Sequence, residues 1–432
     1  MYVLVFVWGY SSVVAPAFSN AGFSYVWPGL ATLGWVTVLS LVPLLVIPQE
    51  LTKPSLVVIW WLYVSAYVPS MVMPVITLSM PDSVLFPLQM AVLGTMLLLC
   101  AVPHAKTLVI PRLVVTPTTF WWVFGLFWAG GIVYCLLTIS FSNILANFAL
   151  LFAGESEYVL RADYFTHIAQ NGRAIAYLGG WLSRAFDPFL IAWGLITRRW
   201  WLVAGGLFGQ LIYFGQTGAK GVVFALAFIA FVFFLYNRFR HRFGLVFLVS
   251  MVGLVTIATS VDLATHTAML STPFTRRALA GPGELTGFYF EHFSSAPHTG
   301  HNFSGTGNFQ VYGPAQEIGL YYFGNVNVDA NANFWAEGFA EFGITGIFAF
   351  GLLVVVMLWL FDSVAANHSL QLAVLLIVMQ AEALSNSTPP TILVTHGGII
   401  VGLLLYFSPP ICESEQDLST TELEPVYSAG LL

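Results

Sequence analysis

The chain has 432 residues, 58% of them apolar and 8% charged, with a formal net charge of −6. Soluble domains carry roughly 25% charged residues, and an exterior this poor in charge could not hold so much apolar surface in water. A soluble globular protein is excluded, no continuous basic surface for nucleic acid is present, and the expectation is an all-α polytopic membrane protein.

A spanning helix needs about 20 mostly apolar residues. Such runs fall at about 2–19, 29–47, 55–79, 83–103, 119–140, 175–196, 200–216, 221–236, 244–262, 338–361, 369–388 and 391–408. This predicts about 12 transmembrane helices in one domain, 1–408. The first two runs could instead form one re-entrant unit. Ala15-Pro16-Ala17 faintly resembles a cleavage site, but no basic segment precedes it, so residues 2–19 are read as a spanning helix. Cys100, Cys135 and Cys412 form neither a disulfide framework nor a metal pattern.

Charge sorts the loops. Lys53, Lys106, Arg112, Arg198, Arg199, Arg238, Arg240 and Arg242, eight of the fourteen Lys and Arg, fall on one face under this count. The positive-inside rule makes that face, and both termini, cytoplasmic. Five of the twenty acids crowd residues 409–432, an acidic cytoplasmic tail. Two segments stay outside the bilayer, about 141–174 and about 263–337. The second should carry short amphipathic helices on the outer surface.

The informative residues are the cations that defy this sorting. Arg161, Arg173, Arg276 and Arg277 lie in the outer loops, and Arg184 and Lys220 within or at the outer edge of helices. Such placements cost free energy, and the guanidinium fork suits phosphate oxygens. They are candidate ligands of a diphosphate head group; solvated loop charges or lipid anchors are the plainer reading. Arg184 and Asp187 are three apart on one helix and are expected to pair.

Residues 331–346 read NANFWAEGFAEFGITG, which places Glu337 and Glu341 on one helix face at the outer boundary. They are candidate proton acceptors, or acids favoured electrostatically in a first helical turn. His292, His298 and His301 lack the partners of a zinc site; His301 is a further candidate base. No metal or cofactor is expected.

Two stretches resemble a known family. Residues 215–236 (GQTGAKGVVFALAFIAFVFFLY) and 333–353 (NFWAEGFAEFGITGIFAFGLL) look like the helix pair and the late outer-loop motif of Wzy-type O-antigen polymerases. Arg161 with Gly172, and Arg276 with Gly287, also match that family's Arg and Gly separated by ten residues. Lys220 departs from the Arg of many relatives, which weakens a bidentate grip. The resemblance implies a GT-C-like fold and a metal-independent glycosyltransferase of the bacterial inner membrane. Undecaprenyl diphosphate-linked oligosaccharide would be donor and acceptor, joined into O-antigen, capsule or exopolysaccharide. Chain-length regulator and flippase proteins would be partners. Trp335, Tyr321 and Tyr322 would stack on sugars. The rivals are an O-antigen ligase, a transporter of polysaccharide or lipid, and a scaffold without catalysis.

Overall fold

The computed structural model describes residues 1–19, 22–138, 174–218, 221–300, 313–328 and 330–411, the side chains of 138, 174–176 and 221–223 excepted. Arg161, Arg173, Lys220, His301 and nearly all of the acidic tail lie outside the described residues. Among the described residues every regular element is helical.

A helix occupies each predicted apolar run. These are α1 (Tyr2–Phe18), α2 (Leu30–Leu45), α3 (Ser55–Thr77), α4 (Asp82–His104), α5 (Pro117–Thr138), α6 (174–197), α7 (Trp200–Thr217), α8 (Gly221–Phe239) and α9 (Phe243–Thr265). The segment expected to stay outside the bilayer then forms α10 (272–293), α11 (Pro314–Phe323) and α12 (Phe334–Phe342), before α13 (Ile344–Ala365), α14 (Leu370–Leu384), α15 (Pro389–Val394) and α16 (Gly398–Phe407). Among the described residues five stretches are long and apolar enough to cross a membrane: Ser55–Thr77, Asp82–His104, Pro117–Leu137, Phe224–Thr265 and Ile344–Ala365. The fourth folds as α8 and α9, meeting at Arg240–Arg242.

The apolar surface divides as a lipid-embedded bundle requires. Over their 18 most apolar residues, α3 is 94% buried and forms the axis, whereas α5 is only 28% buried and turns Trp122, Leu126 and Leu137 outward. That outward face is as apolar as a core, so lipid rather than water is its compatible solvent. Small residues let the inner helices approach. Gly283 of α10 lies where an added Cβ would be 2.6 Å from the Pro69 carbonyl of α3, and Gly351 of α13 packs on Thr95 of α4.

The basic loops share one end of the bundle. Leu51 N–H donates to the Arg240 carbonyl, Lys53 Nζ to that of Ala105, Trp359 Nε1 to that of Lys106 and Arg112 Nη2 to that of Ser408. The charge sorting read from the sequence is thus reproduced as geometry for those loops. At the opposite end of α3 Ser24 Oγ donates to the Thr77 carbonyl.

Two predicted spans are interrupted. The run at 338–361 is not one helix: Gly343 adopts φ 65°, ψ −150°, a conformation only glycine takes readily, and α12 folds back against α13. Gly338 and Gly346 meet backbone to backbone in that hairpin, which eight residues of continuous helix could not do. The run at 391–408 breaks at Thr395–Gly397, leaving α16 ten residues long, about 15 Å.

Candidate functional site

Helices α3, α10 and α12 build one polar centre. Asn333 caps the N-terminus of α12, Oδ1 accepting from the N–H groups of Trp335 (3.1 Å) and Ala336 (3.2 Å). Its Nδ2 donates to Thr286 Oγ1 of α10 (2.7 Å) and Ser70 Oγ of α3 (3.2 Å), fixing α12 over the bundle axis. Glu337 follows one turn on, 6% exposed. Its Oε1 accepts from the Tyr289 hydroxyl (2.9 Å) and the Ala332 N–H (3.3 Å). Burial pushes its carboxyl from the ordinary 4.5 up to about 7; the two hydrogen bonds pull the other way and the Glu341 charge adds to the rise. Glu341, also buried, accepts from Thr299 Oγ1 at 2.9 Å. The expectation that Glu337 and Glu341 belong together therefore holds in space, on the short α12 and not on a spanning helix.

Arg276 lies in a second cluster at the same end. It sits in a wide π-helical turn, Thr272–Ala280, that touches two others, Tyr10–Val14 of α1 and Tyr63–Tyr67 of α3. Turns of this kind often mark functional positions. The guanidinium lies 4.0 Å from the Phe18 ring centroid and 4.9 Å from that of Phe23. It faces Glu284, whose carboxyl burial holds well above the usual range against the opposing Arg276 charge, and whose Oε1 has no hydrogen-bond partner. The Arg276 charge thus offsets only part of what burial costs that acid, while Arg277 beside it is exposed.

Three expectations need correction. Arg184 and Asp187 do not pair with each other. A π-helical turn at Leu182–Phe186 widens the helix there and upsets the three-residue register. Arg184 Nη1 instead meets Glu382 Oε2 of α14 at 2.8 Å, and Asp187 accepts from Trp128 Nε1 of α5 at 2.8 Å. Trp335 is not a loop aromatic open to sugars: it is fully buried and edge-on to Tyr67 at 6.2 Å. Tyr322 is engaged, stacked on Phe288 at 4.1 Å and donating to Glu291 at 2.6 Å, whereas Tyr321 is exposed. Lastly, His292 has a carboxylate partner, Glu317, at 2.7 Å, so it pins α11 to α10.

Residues passed over in the sequence complete a third centre around Arg184. Asn386 Nδ2 approaches Glu382 Oε1 at 3.4 Å, and Ser387 Oγ lies 3.0 Å from His396 Nε2 in the break between α15 and α16. Gln380 Nε2 donates to the carbonyls of His396 (3.1 Å) and Arg184 (3.4 Å). The signal was Glu382 itself, an acid inside an apolar run. Among the described residues no group of three or more His, Cys, Asp or Glu could hold a metal ion. No protein-family model, curated protein or solved structure matches the chain.

Proposed function

We propose that this protein is a bacterial inner-membrane polysaccharide polymerase, a metal-independent glycosyltransferase that lengthens undecaprenyl diphosphate-linked oligosaccharides on the outer face. In this reading the chain crosses the bilayer twelve times in a GT-C-like arrangement, with the basic loops and both termini in the cytoplasm. The observation that carries the reading is Glu337: a carboxyl held at about 7 in the outer helical layer, oriented by Tyr289. A general base works best when its pKa lies near the working pH. The acceptor hydroxyl attacks the anomeric carbon of the donor; a C–O bond forms, the bond to the diphosphate breaks, and Glu337 takes the hydroxyl proton. Arg277, together with Arg161 and Arg173, stabilises the leaving diphosphate. An O-antigen ligase would differ from this only in its acceptor.

One observation favours a transporter as the second reading. Helix α15–α16 is discontinuous, and an Arg184–Glu382 pair lies beside the break, as at substrate sites between broken helices. The two readings part on Arg277→Ala, at the exposed arginine beside Arg276. As a polymerase the variant stays in the membrane and makes no polymer. Normal chain lengths from both Arg277→Ala and Arg161→Ala would refute the diphosphate grip.

A further inference from the structure

The Arg184 centre is built on α6 and α14, not on the helix that carries Glu337, and has its own chemistry. Arg184 is fourteen residues from Arg198, about 20 Å along α6, so the centre sits well inside the bundle. The guanidinium already has a carboxylate at 2.8 Å, yet the two side chains keep 22% and 27% of their surface accessible. An incoming anion would have to displace Glu382 and leave it unpaired in a poorly hydrated place, which is costly. A neutral ligand would not.

Gln380 decides what kind of neutral ligand. The residue is 6% exposed, and its amide faces two carbonyls, those of Arg184 and His396. Both are acceptors, so the NH2 must point at them and Oε1 is left over. That oxygen is buried without a hydrogen-bond partner, and an orphaned buried acceptor is expensive. It calls for a donor, as a hydroxyl supplies. Glu382 adds acceptor oxygens, and Arg184 and Asn386 add N–H donors. On α6, just before the π-helical turn that carries Arg184, the Tyr177 and Trp181 rings lie 6.3 Å apart. Trp181 is fixed by Nε1 donating to the Val394 carbonyl at 2.7 Å and packs at Gly397, next to the helix break. Aromatic faces beside a paired set of donors and acceptors suit a ring with apolar C–H faces and hydroxyl edges.

We propose that Tyr177, Trp181, Arg184, Gln380, Glu382 and Asn386 form a saccharide-binding subsite, separate from the diphosphate-binding arginines. Within the function proposed above, on which this role rests, it holds the sugar of one lipid-linked substrate.

The test uses the full chain in lipid nanodiscs and saturation-transfer NMR with free glucose, galactose and N-acetylglucosamine. At least one should receive saturation from the protein. Gln380→Leu and the more conservative Glu382→Gln should each weaken that sugar's binding tenfold or more, with Arg277→Ala unchanged. No transfer to any of the three sugars, equal binding by properly inserted Gln380→Leu and Glu382→Gln, or displacement of the sugar by inorganic diphosphate would overturn the subsite. Sugar binding without any polymer formation would keep the subsite and sink the polymerase; polymer formation with unaltered binding in both variants would do the reverse.

Discussion

Replacing Glu337 by Gln should make the protein more stable and less active, in a way that depends on pH. In the fold the carboxyl is moved from 4.5 to about 7, chiefly by burial. At ~1.4 kcal/mol per tenfold change in protonation, the ionised form is disfavoured by about 3 kcal/mol. The sign follows from the direction of the shift. The protonated acid is the form the fold prefers, so its contribution is whole below about 4.5 and is lost as the pH rises through about 7. At pH 8 wild-type protein carries the full penalty and Glu337→Gln does not, while Gln Oε1 can still accept from Tyr289 and Ala332. Thermal unfolding in nanodiscs should therefore give a higher Tm for the variant at pH 8, with the gap closing towards pH 4. Glycosyl transfer should fall by about 100-fold or more, the contribution of a general base. A Tm gain over wild type that is no larger at pH 8 than at pH 4 would refute the burial argument. A variant of full activity would refute the base.

Three other perturbations test neighbouring parts of the account. Tyr289→Phe removes a hydrogen bond that lowers the Glu337 carboxyl, so the acidic limb of the rate profile should move up by about one pH unit. Gly346→Ala puts a methyl group into the Gly338 backbone and should cost about 1–3 kcal/mol or more, read as a lower Tm together with lost activity. Cysteines introduced at exposed positions should report sidedness: Ser295→Cys should react with an impermeant thiol reagent only from outside, and His104→Cys only from the cytoplasm. The reverse pattern would invert the topology.

The architecture was legible because lipid leaves a coarse mark on sequence. Apolar length located α3, α4, α5 and α13 to within a few residues, apart from the α12–α13 junction. Positive charge sorted the loops that the hydrogen bonds of Lys53, Arg112 and Arg240 then bring to one end. Breaks were not legible. Gly343 and Gly397 lie in continuous apolar text, and hydropathy cannot tell a glycine at φ 65° or 75° from one inside a helix. Pairing was half legible. The spacing of Glu337 and Glu341 survived because α12 is regular, whereas that of Arg184 and Asp187 did not because a π-helical turn begins two residues before Arg184. Partners distant in sequence, Tyr289 for Glu337 and Glu382 for Arg184, leave no local periodicity to read.

The central claim is that the outer helical layer joins lipid-linked saccharides, and product length measures it directly. Purified protein in nanodiscs is incubated with an undecaprenyl diphosphate-linked oligosaccharide, and the products are resolved by size. A polymerase yields a ladder whose steps equal one repeat unit, present with wild-type protein and lost in Glu337→Gln. Unchanged starting material from wild-type protein, under conditions where it stays folded and binds the lipid, would contradict the account.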